Sequence, residues 1–205
     1  MFEIINDAGE VIGIAPRRCC HGNPALRHRT AHVVVMASDG RVLLQKRSPH
    51  KDIQPGKWDS AVGGHLQPGE DFHAAALREM AEEIGVNAEA GQLNVLFDMS
   101  ICNQLESEVA RVFAITCDGP FTAPADEIDE LRFWSWPDIN AANGTGVFTP
   151  NLEKELALLH QHLAHKDTLP TPQVSANRPD SPTPPKIAPH RPDSPTPPMI
   201  APHRP

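Results

Sequence analysis

The chain has 205 residues, with 26 Asp and Glu against 18 Lys and Arg for a formal charge of −8, and 22 prolines that are unevenly spread. Thirteen of those prolines fall in residues 170–205, a stretch without Gly, Cys, Phe or Trp; so little apolar surface cannot offset the entropy of ordering, so a disordered tail over 166–205 and a globular body over 1–165 are expected. Residues 170–205 carry four Lys or Arg and two Asp, a net of +2 that leaves −10 on the rest, a balance that argues against sequence-independent nucleic-acid binding.

The N-terminus, MFEIINDAGE, has no basic segment followed by an apolar run, and no stretch of membrane-spanning length follows, so a cytoplasmic protein without a membrane partner is expected. Phe2–Ile5 and Glu10–Ile14 flank Asn6-Asp7-Ala8-Gly9 and read as a hairpin. The loop that follows is rich in Cys, His and Gly. His32–Ala37 and Val42–Gln45 flank Ser38-Asp39-Gly40 and read as a second hairpin. Residues 48–69 hold so many Pro and Gly that an ordered but irregular functional loop is expected. Over Asp71–Ile84 the period becomes helical, with Ala74, Leu77, Met80, Ala81 and Ile84 on one side and Gly85 placed for a left-handed cap. Gln92–Phe97, Glu108–Thr116 and Leu131–Trp136 read as strands and Leu152–His165 as a closing helix. One helix between strands points to an α/β sandwich with a mixed sheet. The cysteines at 19, 20, 102 and 117 form no C-x-x-C pair and read as reduced thiols. In the tail RPDSPTPPKIAPH recurs as RPDSPTPPMIAPH, a 13-residue repeat that favours polyproline II and offers a ligand for a protein partner.

The central helix carries the chemistry. At about 100° per residue, Glu79, Glu82 and Glu83 share one stripe opposite Leu77, Met80 and Ile84. Like charges at this spacing repel, so the stripe is either a solvated face or a site for a cation. Grouped carboxylates suit Mg²⁺, with Mn²⁺ as the alternative, and a bound cation would let an acidic body accept a diphosphate.

The spacing of these residues adds a resemblance. From Gly64 the sequence runs five residues to Glu70, seven more to Arg78-Glu79-Met80, then Ala81, Glu82-Glu83, Ile84 and Gly85-Val86. Every position resembles the box of the Nudix hydrolases, enzymes that cleave diphosphates linked to another moiety. The resemblance implies an α/β/α Nudix sandwich with a mixed sheet. It implies Glu79, Glu82 and Glu83, with Gly64, at a metal, Glu70 in support, and Arg78 fixing the carboxylates by an ion pair. Either Glu83 or a carboxylate outside the box would orient or deprotonate the attacking water.

The flanks are similar to one branch, the isopentenyl diphosphate isomerases and their hydrolase-like kin. His21 and His28 keep the spacing of that branch's first two metal histidines, His65 matches the third, and Glu106 and Glu108 match its glutamates. Arg47 and Lys51 match residues that grip the substrate diphosphate, and His65 is counted among the substrate contacts as well. The departures fall on the isomerisation chemistry: Gly63 stands where the branch has its cysteine, Asn151 follows Phe148-Thr149-Pro150 where it has a tryptophan, and there is no Tyr. A hydrolase of a small organic diphosphate is therefore expected, with an isomerase or a non-catalytic docking module as alternatives. Trp58 and Trp134 read as packing residues.

Overall fold

The computed structural model describes residues 1–168, with side chains to 165; from residue 169 on, the expected disordered tail and its repeat lie outside the described residues. Strands β1 (Phe2–Ile5) and β2 (Val11–Ala15) form an antiparallel hairpin, followed by the short helix α1 (Arg17–Cys20). Strands β3 (His28–Met36), β4 (Val42–Arg47), β5 (Trp58–Ser60) and β6 (Val62–His65) lead to helix α2 (Phe72–Ile84). After a 3₁₀ turn at Ala90–Gln92 come β7 (Asn94–Cys102), β8 (Ser107–Thr116), β9 (Ile128–Trp134), α3 (Trp136–Ala142) and α4 (Pro150–Thr168).

The main sheet is mixed: β3 runs parallel to β8 over nine residue pairs, whereas β6, β4 and β7 pair antiparallel with their neighbours. Side-chain alternation along β3 assigns its two faces. Ala31, Val33 and Val35 join Met80 and Ile84 of α2 in one core; Val34 joins Phe148, Leu152, Leu156 and Leu159 of the α4 side in another. The result is the expected α/β/α sandwich.

Three local expectations change. The turn at Ser38-Asp39-Gly40 forms, yet β3 and β4 pair only through Met36 and Val42 before parting. β3 takes β6 and β8 as neighbours while β4 takes β5 and β9, because each buries both faces and finds longer ladders there. Residues 48–69 are not irregular throughout, since β5 and β6 lie within them. On α2 the buried small residues are Ala75 and Ala76; Ala74 is exposed and Ala81 half-buried, the helix being turned so that Glu79 and Glu83 reach β6. Asp71 caps α2 by accepting from the Ala74 N–H, and Gly85 closes it at φ 70°, a position where a side chain is strained. Helix α3 has no counterpart in the sequence reading, although Ser135 caps it, Pro137 stands in its first turn and Trp136, Ile139 and Ala142 recur at near-helical spacing.

Candidate active site

Where β3 and β4 part, a cavity of about 920 Å³ opens, lined from both arms by β3, β4, β5 and β6 and from the side by α2. Glycines at 63 and 64 admit the carboxylates of α2. A Cβ on Gly64 would lie 1.9 Å from the Glu79 carboxyl carbon, so no larger residue fits while Glu79 stays in place. The Gly63 N–H donates to Glu83 Oε2 at 3.0 Å, and Gln45 adds a longer bond of 3.4 Å.

Arg78 organises this group. Its Nε and Nη2 each donate to Glu70 at 2.9 Å, Nη1 donates to Glu79 at 2.7 Å and to Glu82 at 3.3 Å, and Nη2 also reaches the His65 carbonyl. Hydrogen bonds from Arg78 hold Glu70 below the usual carboxylate range, whereas burial raises Glu79. Burial, only partly opposed by the Gly63 N–H and reinforced by Glu79 and Glu127, pushes Glu83 up to about 8. Two half-buried carboxylates, both raised by burial, thus face the cavity. Glu82, 59% exposed, is held by Arg78 but is not among the residues that line the cavity.

A second group gathers at the start of β3. His28 Nε2 and His65 Nε2 both lie 3.2 Å from Glu108 Oε1, and ligand atoms of the three residues lie within 4.8 Å of one another. His28 directs Nδ1 to the Leu26 carbonyl at 2.9 Å, which fixes its ring. Phe2 stacks on His65 at 4.1 Å and on His28 at 5.1 Å, so the N-terminal hairpin roofs the cluster. Burial opposes the Glu108 charge, but the bonds from His28 and His65 outweigh it and hold the carboxyl far below its ordinary range. Burial lowers His65 and His21. The His21 ring lies 5.7 Å from that of His65, and its Nε2 is buried with no partner. Glu106 accepts from Asn151 Nδ2 at 2.9 Å. An orphaned imidazole nitrogen beside a converging His-His-Glu set fits a divalent ion.

The cations at the far wall are already paired. Arg47 donates to Asp59 at 3.2 Å and to the Ile53 carbonyl, and Lys51 donates to Glu127 at 2.8 Å. The structure therefore brings Gly64, Glu79, Glu83, Arg78, His21, His65, Glu106, Glu108, Arg47 and Lys51 to one cavity, with His28 buried behind His65 and Glu70 behind Arg78. His65 lines the cavity and stands with His28 and Glu108. Trp58 and Trp134 are buried edge to face at 5.1 Å as packing residues. Sequence reasoning missed His32, Asp59, Ser60, Thr149 and Glu155, which form a buried polar floor. His32 Nδ1 lies 2.6 Å from Glu155 Oε2, Ser60 Oγ donates to Glu155 Oε1 at 2.8 Å, and Thr149 Oγ1 donates to Asp59 at 2.8 Å. Only His32 left a signal, being four residues after His28 and so on the same face of the strand.

Comparison with known proteins agrees with this architecture. The family model for the NUDIX domain matches residues 26–155. An uncharacterised Nudix hydrolase of Escherichia coli, YfcD, is 33% identical over 173 residues, 82% of this chain and 91% of the relative. An isopentenyl-diphosphate Delta-isomerase of Streptomyces avermitilis is 33% identical over 137 residues, 65% of this chain and 70% of the relative. Among solved structures, the Deinococcus radiodurans protein DR0079 superposes with a TM-score of 0.64 at 25% identity, covering 76% of this chain and 96% of that one. The chain belongs to the Nudix family. It is a hydrolase of that family, acting on pyrophosphate bonds.

Proposed function

We propose that this protein is a Mg²⁺-dependent hydrolase that cleaves the phosphoanhydride bond of a small organic diphosphate by attack of water, with Mn²⁺ able to replace Mg²⁺. The observation that carries the reading is the fit of the Glu79 carboxylate into the space that Gly64 leaves beside the cavity. In this reading Glu79, Glu82, Glu83 and the Gly64 carbonyl hold one ion through oxygen alone, which suits Mg²⁺. His21, His28, Glu106 and Glu108, with His65, hold a second through nitrogen and oxygen, which suits Mn²⁺. Bound divalent ions supply charge neutralisation for the diphosphate and acidify a water.

The remaining work falls to the chain. Arg47 and Lys51 exchange part of their pairing with Asp59 and Glu127 for the diphosphate oxygens. Glu83, half-buried with Oε2 on the Gly63 N–H, takes the proton of the attacking water in its ionised form as the new P–O bond forms and the anhydride P–O bond breaks. Two phosphorylated products leave. Arg78 is a positioning residue that fixes Glu70 and Glu79. Isomerisation is disfavoured, since Gly63 has no proton to give and Asn151 is engaged with Glu106. Four free thiols accord with a reducing compartment such as the cytoplasm.

Purified protein supplied with nucleoside, sugar and isoprenoid diphosphates and either ion is expected to turn over at least one of them. Glu82→Gln and Glu83→Gln are expected to abolish that turnover; unchanged rates in both variants would overturn the assignment.

A further inference from the structure

The polar floor of the cavity contains a donor that the hydrolytic machinery leaves unused. His28, Thr30 and His32 occupy alternate positions of β3 and face one side. Glu155, on α4 and 2% exposed, is met by His32 Nδ1 and the Ser60 hydroxyl, and no Lys or Arg among the described residues pairs with it. With Nδ1 donating to Glu155, the other ring nitrogen of His32, Nε2, has no hydrogen-bond partner among the described residues, although His32 lines the cavity. Thr30 Oγ1, two residues earlier and also on the cavity wall, is buried and unpartnered as well.

What keeps His32 open to the cavity is the residue across the ladder. His32 pairs with Gly63, and a Cβ there would sit 3.5 Å from Nε2 and Cδ2. Asp59, Glu155 and Glu108 surround His32 with negative charge from β5, α4 and β8. This is the inner end of the cavity, one inward-facing position short of Val34 and the core under α4. The diphosphate has its own partners in the α2 carboxylates, Arg47 and Lys51, of which Glu83 meets Gly63 and Arg47 meets Asp59 on either side of His32. A hydrocarbon seated over His32 would desolvate its Nε2 without a partner, at a cost of about 1–3 kcal/mol, and would leave Thr30 Oγ1 unmatched as it already is. An oxygen-bearing group would match them.

We propose that His32, clamped by Glu155 and Ser60 beneath Gly63, donates its Nε2–H to the organic part of the substrate and so selects diphosphates whose organic group carries acceptor oxygens over those whose group is a hydrocarbon. The inference rests on the reading of this cavity as a diphosphate site. His32 acts here as a specificity-determining residue, and Thr30 supports it.

The test compares ADP-ribose with geranyl diphosphate, by calorimetric binding and by kcat/KM, in the full chain. His32→Asn keeps an N–H where Nδ1 meets Glu155 but has nothing at Nε2, whereas His32→Gln restores an N–H near that place. His32→Asn is expected to weaken ADP-ribose by about 10- to 100-fold and geranyl diphosphate by less than about threefold, with His32→Gln recovering most of the loss. Thr30→Val, which forfeits no native hydrogen bond, carries the test if His32→Asn does not fold, with an expected selective loss of about 3- to 10-fold. An equal loss for both ligands and for inorganic pyrophosphate, a wild-type preference for geranyl diphosphate, or binding of neither ligand overturns the inference. Selective, His32-dependent binding without turnover upholds it while removing the hydrolase reading.

Discussion

One face of β3 carries two pairings of imidazole with carboxylate, four residues apart, and they are built to opposite ends. At His28, a single oxygen of Glu108 is approached by two imidazole nitrogens, a third histidine waits unpaired beside them, and Glu106 lies next to the group. At His32, Glu155 is matched oxygen by oxygen, one to an imidazole and one to a hydroxyl. The first group has donors to spare for a cation, while the second is internally balanced and presents only a single N–H outward. Residue type is the same in both; the number and kind of partners decide what each can bind.

The most damaging way to probe the contrast is at Glu108. Glu108→Gln is expected to lower divalent-ion affinity, measured by isothermal titration, by more than about 100-fold, since loss of a ligand exceeds the 10- to 100-fold cost of losing an outer partner. Glu155→Gln is expected to leave that affinity within about threefold on the same scale. If both variants lose the ion equally, the two pairings are one site.

Next in size is Gly64→Ala. The added methyl overlaps the Glu79 carboxyl group, so the side chain must leave its place beside Arg78. A loss of about 1–3 kcal/mol in urea unfolding is expected, together with a marked fall in turnover. Retention of full activity would show that Glu79 does not need the space it occupies.

The third effect is a pH dependence of stability at the second pairing. Burial pulls the His32 imidazole down, but the adjacent Glu155 carboxylate outweighs it and holds the group up at about 9. A histidine raised in the folded state stabilises it fully below the ordinary value near 6.5 and loses that contribution as pH climbs through 9. Urea unfolding at pH 6 and at pH 9.5 should therefore differ by up to about 3 kcal/mol from this pair. The part due to the pair should disappear in Glu155→Gln; an identical pH profile in the variant would dismiss the pairing as a source of stability.

Much of this site was legible because the box from Gly64 to Val86 is local: a turn, a cap and one helix bring Glu70, Arg78, Glu79 and Glu83 together within 23 residues. The histidine cluster was legible only through resemblance, since His28 and Glu108 meet across a parallel ladder that no spacing announces. Glu155 was not legible at all. It lies 123 residues from His32 on a helix whose amphipathic pattern gives no reason to expect a carboxylate facing the sheet. The parting of β3 and β4, which creates the cavity, was hidden behind a good turn signal, because a turn fixes only the first pair of a ladder and later pairs are decided by competing neighbours.

Phe2 has a consequence for kinetics. Its ring lies flat on His65, 5° from parallel, at the end of a two-stranded hairpin whose second strand is mostly exposed. Such a hairpin has little stability of its own and opens far more readily than the sheet behind it. In the proposed reading, opening of this hairpin uncovers the ion site from a second side, so removal of residues 1–5 is expected to speed ion exchange.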